Sequence, residues 1–130
     1  MVIVRNLQRK VRFDCEQLRE FAERALGKIS KKHSLGEIDI LLISDRRMAQ
    51  LHRKFMKISG PTDVITFQHG EIFISVETAK RNARRFRTST ITEVKLYIVH
   101  GLLHLLGYDD KSAADARRME KAQRRILAAV

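Results

Sequence analysis

The chain has 130 residues, of which 44% are hydrophobic and 32% charged, with six glycines and one proline. That balance excludes a disordered or fibrous chain and fits a single domain over residues 1–130, large enough to bury one core. Twenty-six basic against fifteen acidic residues leave a net charge of +11, so polyanions are the expected partners.

Val2-Ile3-Val4 reads as a short strand. Asp14 caps a helix, with Gln17 in the capping-box position, and Leu18, Phe21, Ala22, Ala25 and Ile29 fall on one face. The isoleucine-rich segment Ile38 to Ile43 reads as a buried strand. Ser44 caps the next helix, with Met48, Leu51 and Phe55 facing inward, and Ser59-Gly60-Pro61 breaks it. Val64 to Phe67 and Ile72 to Ile74 are strands, and Gln68-His69-Gly70 is short enough to join them as a hairpin. Ser75 caps a third helix. Thr90 and Glu93 form a capping box for a fourth, whose apolar residues, from Ile91 to Leu105, cover most of its circumference and make it central. Gly107 ends that helix. A last helix starts near Ser112, with Met119, Ala122 and Ile126 inward. The expected fold is α/β (α+β), a small mixed sheet of about four strands with helices packed over it.

The basic residues are grouped. Lys80, Arg81, Arg84, Arg85 and Arg87 lie together without an acid; Arg46, Arg47, Arg53, Lys54 and Lys57 form a second group, and Arg117 to Arg125 a third. Their like charges repel at i, i+4, a cost that an anionic partner relieves. Aromatic residues are few, so phosphate contact rather than base stacking is the expected mode of nucleic-acid binding. The longest apolar run, 96–106, is interrupted by two histidines and is shorter than the ~20 residues a bilayer needs. Met1 to Arg5 lacks the basic-then-apolar order of a signal peptide. Cys15, the single cysteine, excludes an intramolecular disulfide and fits a reducing cytoplasm.

The segment His100-Gly-Leu-Leu-His104-Leu-Leu-Gly107-Tyr108-Asp109-Asp110 carries the chemistry. Histidines at i, i+4 share one helical face, and Gly107 lets the chain reverse so that Asp110 supplies a carboxylate. Three such ligands leave one position open, the arrangement of a catalytic zinc. The zincin pattern has Glu directly after its first His; here that position is Gly101, which cannot transfer a proton and argues against a peptidase of that type.

This segment resembles the signature of the YbeY endoribonucleases, metal-dependent factors in bacterial rRNA maturation. Pro61-Thr62-Asp63-Val64-Ile65-Thr66-Phe67 is similar to that family's P-T-D-V-L-S-F, and Gly70-Glu71-Ile72-Phe73-Ile74-Ser75 to its G-D-I-x-I-S. Glu93, before His100, also matches. The resemblance covers roughly residues 38 to 127 and implies a single-strand-specific, metal-dependent endoribonuclease in 16S rRNA processing, ribosome maturation and quality control. It implies one Zn²⁺ per chain on His100, His104 and Asp110, with His100 and Asp109 catalytic. Arg53, Lys57, Lys80, Arg81, Arg84 and Arg85 are the expected RNA contacts, and the 16S rRNA precursor, the small ribosomal subunit and assembly factors such as the Era GTPase the implied partners, with no membrane. Two departures stand out. Asp110 replaces the family's usual third histidine, and Met56 stands where the family has an arginine.

The general base is open between Asp109 and Glu71. His33, His52 and His69 lack ligand spacing to one another and read as surface or loop residues. Asp63 reads as a turn or cap, Cys15 as packing, and Thr66 and Ser75 as structural. The rival readings are a non-catalytic ribosome assembly factor that binds rRNA with zinc structural, which Met56 favours, and a metal hydrolase for a small molecule or peptide, which the +11 charge disfavours.

Overall fold

Four helices begin where a short polar side chain accepts a backbone N–H of the first turn, removing one of the unpaired donors there. Asp14 accepts from Gln17, Ser44 from Arg47, Ser89 from Thr92 and Ser112 from Asp115. In the computed structural model, which describes residues 1–30 and 36–130, the order is β1 (Val2–Asn6), α1 (Cys15–Ile29), β2 (Ile38–Ile43), α2 (Asp45–Met56), β3 (Val64–Phe67), β4 (Glu71–Ser75), α3 (Val76–Phe86), α4 (Thr90–Leu105) and α5 (Ala113–Ala129). This is the predicted order, and His33 lies outside the described residues.

The strands form one mixed sheet in the order β1-β2-β4-β3, with β1/β2 and β2/β4 parallel and β4/β3 antiparallel. Side chains alternate across it. Ile38, Ile40 and Leu42 of β2, with Ile72 and Ile74 of β4, face the larger core built with α1, α4 and α5. Leu41, Ile43, Ile65 and Phe73 face the other side, where Met48 of α2 closes a smaller core. Strand β3 is therefore an edge strand, thinly covered on the α2 side.

Helix α4 is central, as its nearly all-round apolar sequence predicts. Gly101 is buried between His100 and His104, and a Cβ there would lie 2.8 Å from Cγ2 of Ile72. Glycine thus lets the histidine-bearing helix sit directly on β4.

Four local expectations are corrected. The cap of α4 is Ser89, one residue before the predicted Thr90. Ser75 occupies the cap position of α3, but its hydroxyl makes no capping bond and donates instead to Asp45 Oδ1 (2.5 Å), so a half-buried contact with the start of α2 outcompetes the cap. Helix α2 stops at Met56, before the Ser-Gly-Pro break, with Lys57 in the left-handed conformation at φ 56°. Phe55, predicted inward, is 54% exposed because the α2-side core ends at Met48 and Leu51. No described helix is long and apolar enough to cross a membrane.

Candidate metal centre

The spacing of four residues sets the two imidazoles one turn apart near the C-terminal end of α4, ring centroids 4.6 Å apart. Their Nε2 atoms approach to 3.1 Å. Each Nδ1 has its own oxygen: Gln123 Oε1 on α5 for His100 (2.5 Å) and the Tyr108 backbone carbonyl for His104 (3.1 Å). A carbonyl oxygen only accepts, so each Nδ1 carries the proton and donates, and each Nε2 presents a lone pair. Two lone pairs facing at this range repel unless an electrophile lies between them. Two nitrogens on one tetrahedral zinc, with Zn–N of 2.0–2.1 Å, stand about 3.3–3.4 Å apart. The pair is within a few tenths of an ångström of that spacing.

The third candidate ligand comes from the turn after the helix. Tyr108 N–H reaches back to Leu103 O (3.0 Å) and Gly107 N–H to His104 O (3.1 Å), with Gly107 at φ 99°, a complete Schellman motif. This reversal brings Asp110 round, so that ligand atoms of His100, His104 and Asp110 lie within 4.8 Å of one another. Among the described residues this is the one His/Cys/Asp/Glu group with such geometry. Burial, then neighbouring His100, hold His104 below the ordinary imidazole value, which keeps it neutral as a ligand must be. The donor set of two imidazoles and a carboxylate fits a divalent transition ion.

A cleft of about 300 Å³ opens beside the centre, lined by Gln68, His104, Asp109, Asp110 and Lys111 among others. Asp109 is exposed, and its Oδ1 accepts from the Lys111 backbone N–H (3.2 Å). Glu71, the other candidate base, pairs with His69 (2.5 Å) and is not among the residues lining this cleft. Gln68 and Gln123 escaped the sequence reading. Gln123 had a signal: it sits on the inward face of α5 with Met119, Ala122 and Ile126, and a ligating histidine needs an acceptor for its second nitrogen.

The expected RNA contacts fall elsewhere. Arg53 lines a groove with Arg46 and Gly60; Lys57 caps α2. Lys80, Arg81 and Arg84 share a second groove with Lys10 and Glu77, and Arg85 is exposed beside Phe86. Neither groove includes His100, His104 or Asp110. Arg81 is also engaged, its Nη1 2.6 Å from Asp45 Oδ2, and this pair holds α3 to α2. Among the minor candidates, His52 bonds to the Gly60 carbonyl (3.0 Å). Asp63 accepts from Val64 N–H (2.8 Å), a cap as read. Ser75 is buried and bound to Asp45, and Cys15 opens α1. Met56 is exposed on α2.

A separate cavity of about 620 Å³ does not include His100, His104 or Asp110. Asp63, Asn82, Glu93 and Tyr97 give it polar walls. Glu93 is only 5% exposed, and burial, then Asp63, raise its pKa. Tyr97 is pushed up to about 12, chiefly by burial, and its hydroxyl accepts from Asn82 (2.7 Å).

The profile of the family described as endoribonuclease YbeY matches residues 3–130. The chain belongs to that family. An endoribonuclease YbeY of Anaeromyxobacter sp. is 41% identical over 104 residues, 72% of this chain and 54% of that protein, so the match spans about half of that relative's length. An endoribonuclease YbeY of Aquifex aeolicus is 34% identical over 137 residues, 97% of this chain and 89% of its own. The solution structure of a Thermotoga maritima protein superimposes with a TM-score of 0.68 at 27% identity, covering 98% of this chain and 87% of that one. The YbeY membership recognised from the two sequence blocks and the histidine segment is thus established, as is the mixed α/β fold expected with it.

Proposed function

We infer that the chain is a metal-dependent endoribonuclease, one domain over residues 1–130, that cuts unpaired RNA during 16S rRNA processing in the cytoplasm. The observation that carries the reading is the converging Nε2 pair of His100 and His104, with both Nδ1 protons already held by carbonyl oxygens. The relatives named endoribonuclease YbeY support RNA as the substrate. We assign one zinc to His100, His104 and Asp110. Bound there, zinc supplies a Lewis acid and a water acidic enough to ionise near neutral pH.

The protein's own groups do the rest. Gln123 and the Tyr108 carbonyl fix the rings, so no reorganisation is needed when ligands engage. Asp110 brings a negative charge, which tempers the Lewis acidity relative to a third imidazole. Asp109, exposed on the cleft wall, is assigned proton transfer to or from the reacting oxygens. Lys111 on the same wall draws in a phosphate, and the basic residues of α2 and α3 hold the flanking backbone. The small ribosomal subunit and the Era GTPase are the partners this reading carries.

The exposed Met56 favours a second reading, a non-catalytic assembly factor, because methionine neither binds a phosphate nor offsets its charge. An RNA cleavage assay separates the two. Single-stranded RNA should be cut by the wild type, spared after chelation, and cut again on adding zinc. His104→Ala should be inactive while its metal-free form unfolds at the wild-type temperature. Metal-replete wild type that binds RNA and leaves it intact establishes the assembly factor instead.

A further inference from the structure

The α2 side of the β3–β4 hairpin carries a second surface that no part of the metal centre explains. Gln68 lines the metal cleft, while Phe67 and His69 turn toward α2. There Phe55 meets Phe67 edge-on, with centroids 5.1 Å apart at 75°. Phe67 in turn stacks on His69 at 6.0 Å and 28°, and is braced from behind by Phe73 at 5.7 Å. Phe73 is buried, so the row is anchored; Phe55 and His69 are exposed, so its outer rings reach solvent. Among the described residues, three of the six exposed large hydrophobics, Phe55, Met56 and Ile58, lie in this one segment.

Charge identifies what fits. Arg53, Lys54 and Lys57 flank Phe55, and Lys54 Nζ already hovers 5.3 Å from its ring centroid. The one acid of α2, Asp45, is at the far end of the helix and is held by Arg81. The carboxylate beside the row, Glu71, is engaged by His69 (2.5 Å), and Phe55 is set among cations, an arrangement that matches a strand offering flat bases and phosphates together. A duplex hides its base faces in the stack, so such a shelf selects unpaired nucleotides. The overall scarcity of aromatic residues argued against stacking, but that count ignores position: the structure gathers three rings at one edge, one residue from the cleft wall.

We propose that Phe55, backed by Phe67 and His69, stacks an unpaired base of an RNA strand that crosses the hairpin into the metal cleft, with Arg53, Lys54 and Lys57 on its phosphates. The identity of the ligand rests on the nuclease reading; the existence of the shelf does not.

The test uses the full chain, metal-free so that nothing is cut, with a fluorescein-labelled oligouridine, the same strand carrying a fluorescent purine analogue, and an RNA duplex of equal length. Phe55→Ala and Phe55→Leu should each weaken single-strand binding roughly tenfold, leave duplex binding within about twofold, and remove the quenching of the analogue. Phe55→Trp should retain both affinity and quenching. Wild-type affinity in Phe55→Ala, or equal losses on single strand and duplex, overturns the proposal. So does full rescue by leucine, which would mark an apolar face for a protein partner. Cleavage on restoring zinc is scored separately. Wild type that stacks the strand without cutting it refutes the nuclease and keeps the shelf. Wild type that cuts, with Phe55→Ala binding normally, refutes the shelf alone.

Discussion

The bond from His100 Nδ1 to Gln123 Oε1, 2.5 Å long and half-buried between α4 and α5, predicts that a residue on a different helix governs the metal. Gln123→Leu keeps a side chain out to Cδ and removes its acceptor. His100 then has a partly buried N–H without a partner, and nothing favours the tautomer that leaves Nε2 free. Loss of such a supporting acceptor lowers metal affinity by about 10–100-fold, which is about 1.4–2.7 kcal/mol. The loss in fold stability is smaller, about 1 kcal/mol for one hydrogen bond, partly offset by the apolar leucine. Gln123→Glu should instead bind zinc at least as tightly as the wild type, because a carboxylate is the stronger acceptor and makes the imidazole the better donor. Competition against a chromophoric chelator measures the three affinities, and thermal unfolding without metal checks the fold. The expected order is Glu at least equal to Gln, and Gln above Leu. Wild-type zinc affinity in a folded Gln123→Leu protein would refute the reasoning, since the ring would then need no support.

Zinc titration should show Asp110→Ala weakened and Asp110→His at or above wild type, because imidazole is a good neutral zinc donor; loss in Asp109→Ala alone would make Asp109 the ligand. Replacing Lys80, Arg84 and Arg85 by Gln should weaken binding to unrelated RNAs alike and flatten the log-affinity against log-salt slope by about 0.7 for each phosphate contact removed. Arg81→Gln should act differently, lowering unfolding stability by up to about 1 kcal/mol because it breaks the exposed pair with Asp45. Glu93→Gln should stabilise the protein at neutral pH. The folded state holds the Glu93 proton to higher pH than the unfolded chain does, so wild-type stability falls as pH rises from the unfolded carboxylate value through the raised folded one. Unfolding temperatures measured from acid to neutral pH should therefore converge at the acid end and separate above it, and parallel curves would refute a raised pKa.

Local rules carried the reading as far as local forces decide the structure. The apolar face of α4, the isoleucines of β2, the caps Asp14 and Ser44 and the start of α5 near Ser112 depend on a few residues each, and each was legible. The i, i+4 histidines and the Gly107 reversal are local too, which is why the convergence of His100, His104 and Asp110 was legible. What escaped depends on contacts distant in sequence. The hydroxyl of Ser75 leaves its cap for an Asp45 thirty residues away. Phe55 looked inward by helical spacing, yet no layer covers that end of α2. The reach of Gln123 to His100 spans 23 residues. A periodic pattern says which face turns inward; it does not say whether anything waits there.

The sign of the local field explains why a chain with a charge of +11 places its chemistry where it does. The cleft sits at the C-terminal end of α4, where the helix dipole is negative, and Asp109 and Asp110 add two carboxylates. On its own this pocket repels a phosphate, and Lys111 offsets only one of those charges. On the proposed function, the basic faces of α2 and α3 would account for RNA attraction, and the cleft would accept a phosphate only once a divalent cation on the two imidazoles reversed its sign. Attraction and reaction are then controlled separately. Salt should weaken the first through exposed, screened side chains, whereas the second should answer to the metal and to Gln123 behind it. The hairpin joins the two, with Gln68 on the cleft side and Phe67 and His69 on the other, so a strand held by the faces has one edge to cross before it meets the histidines.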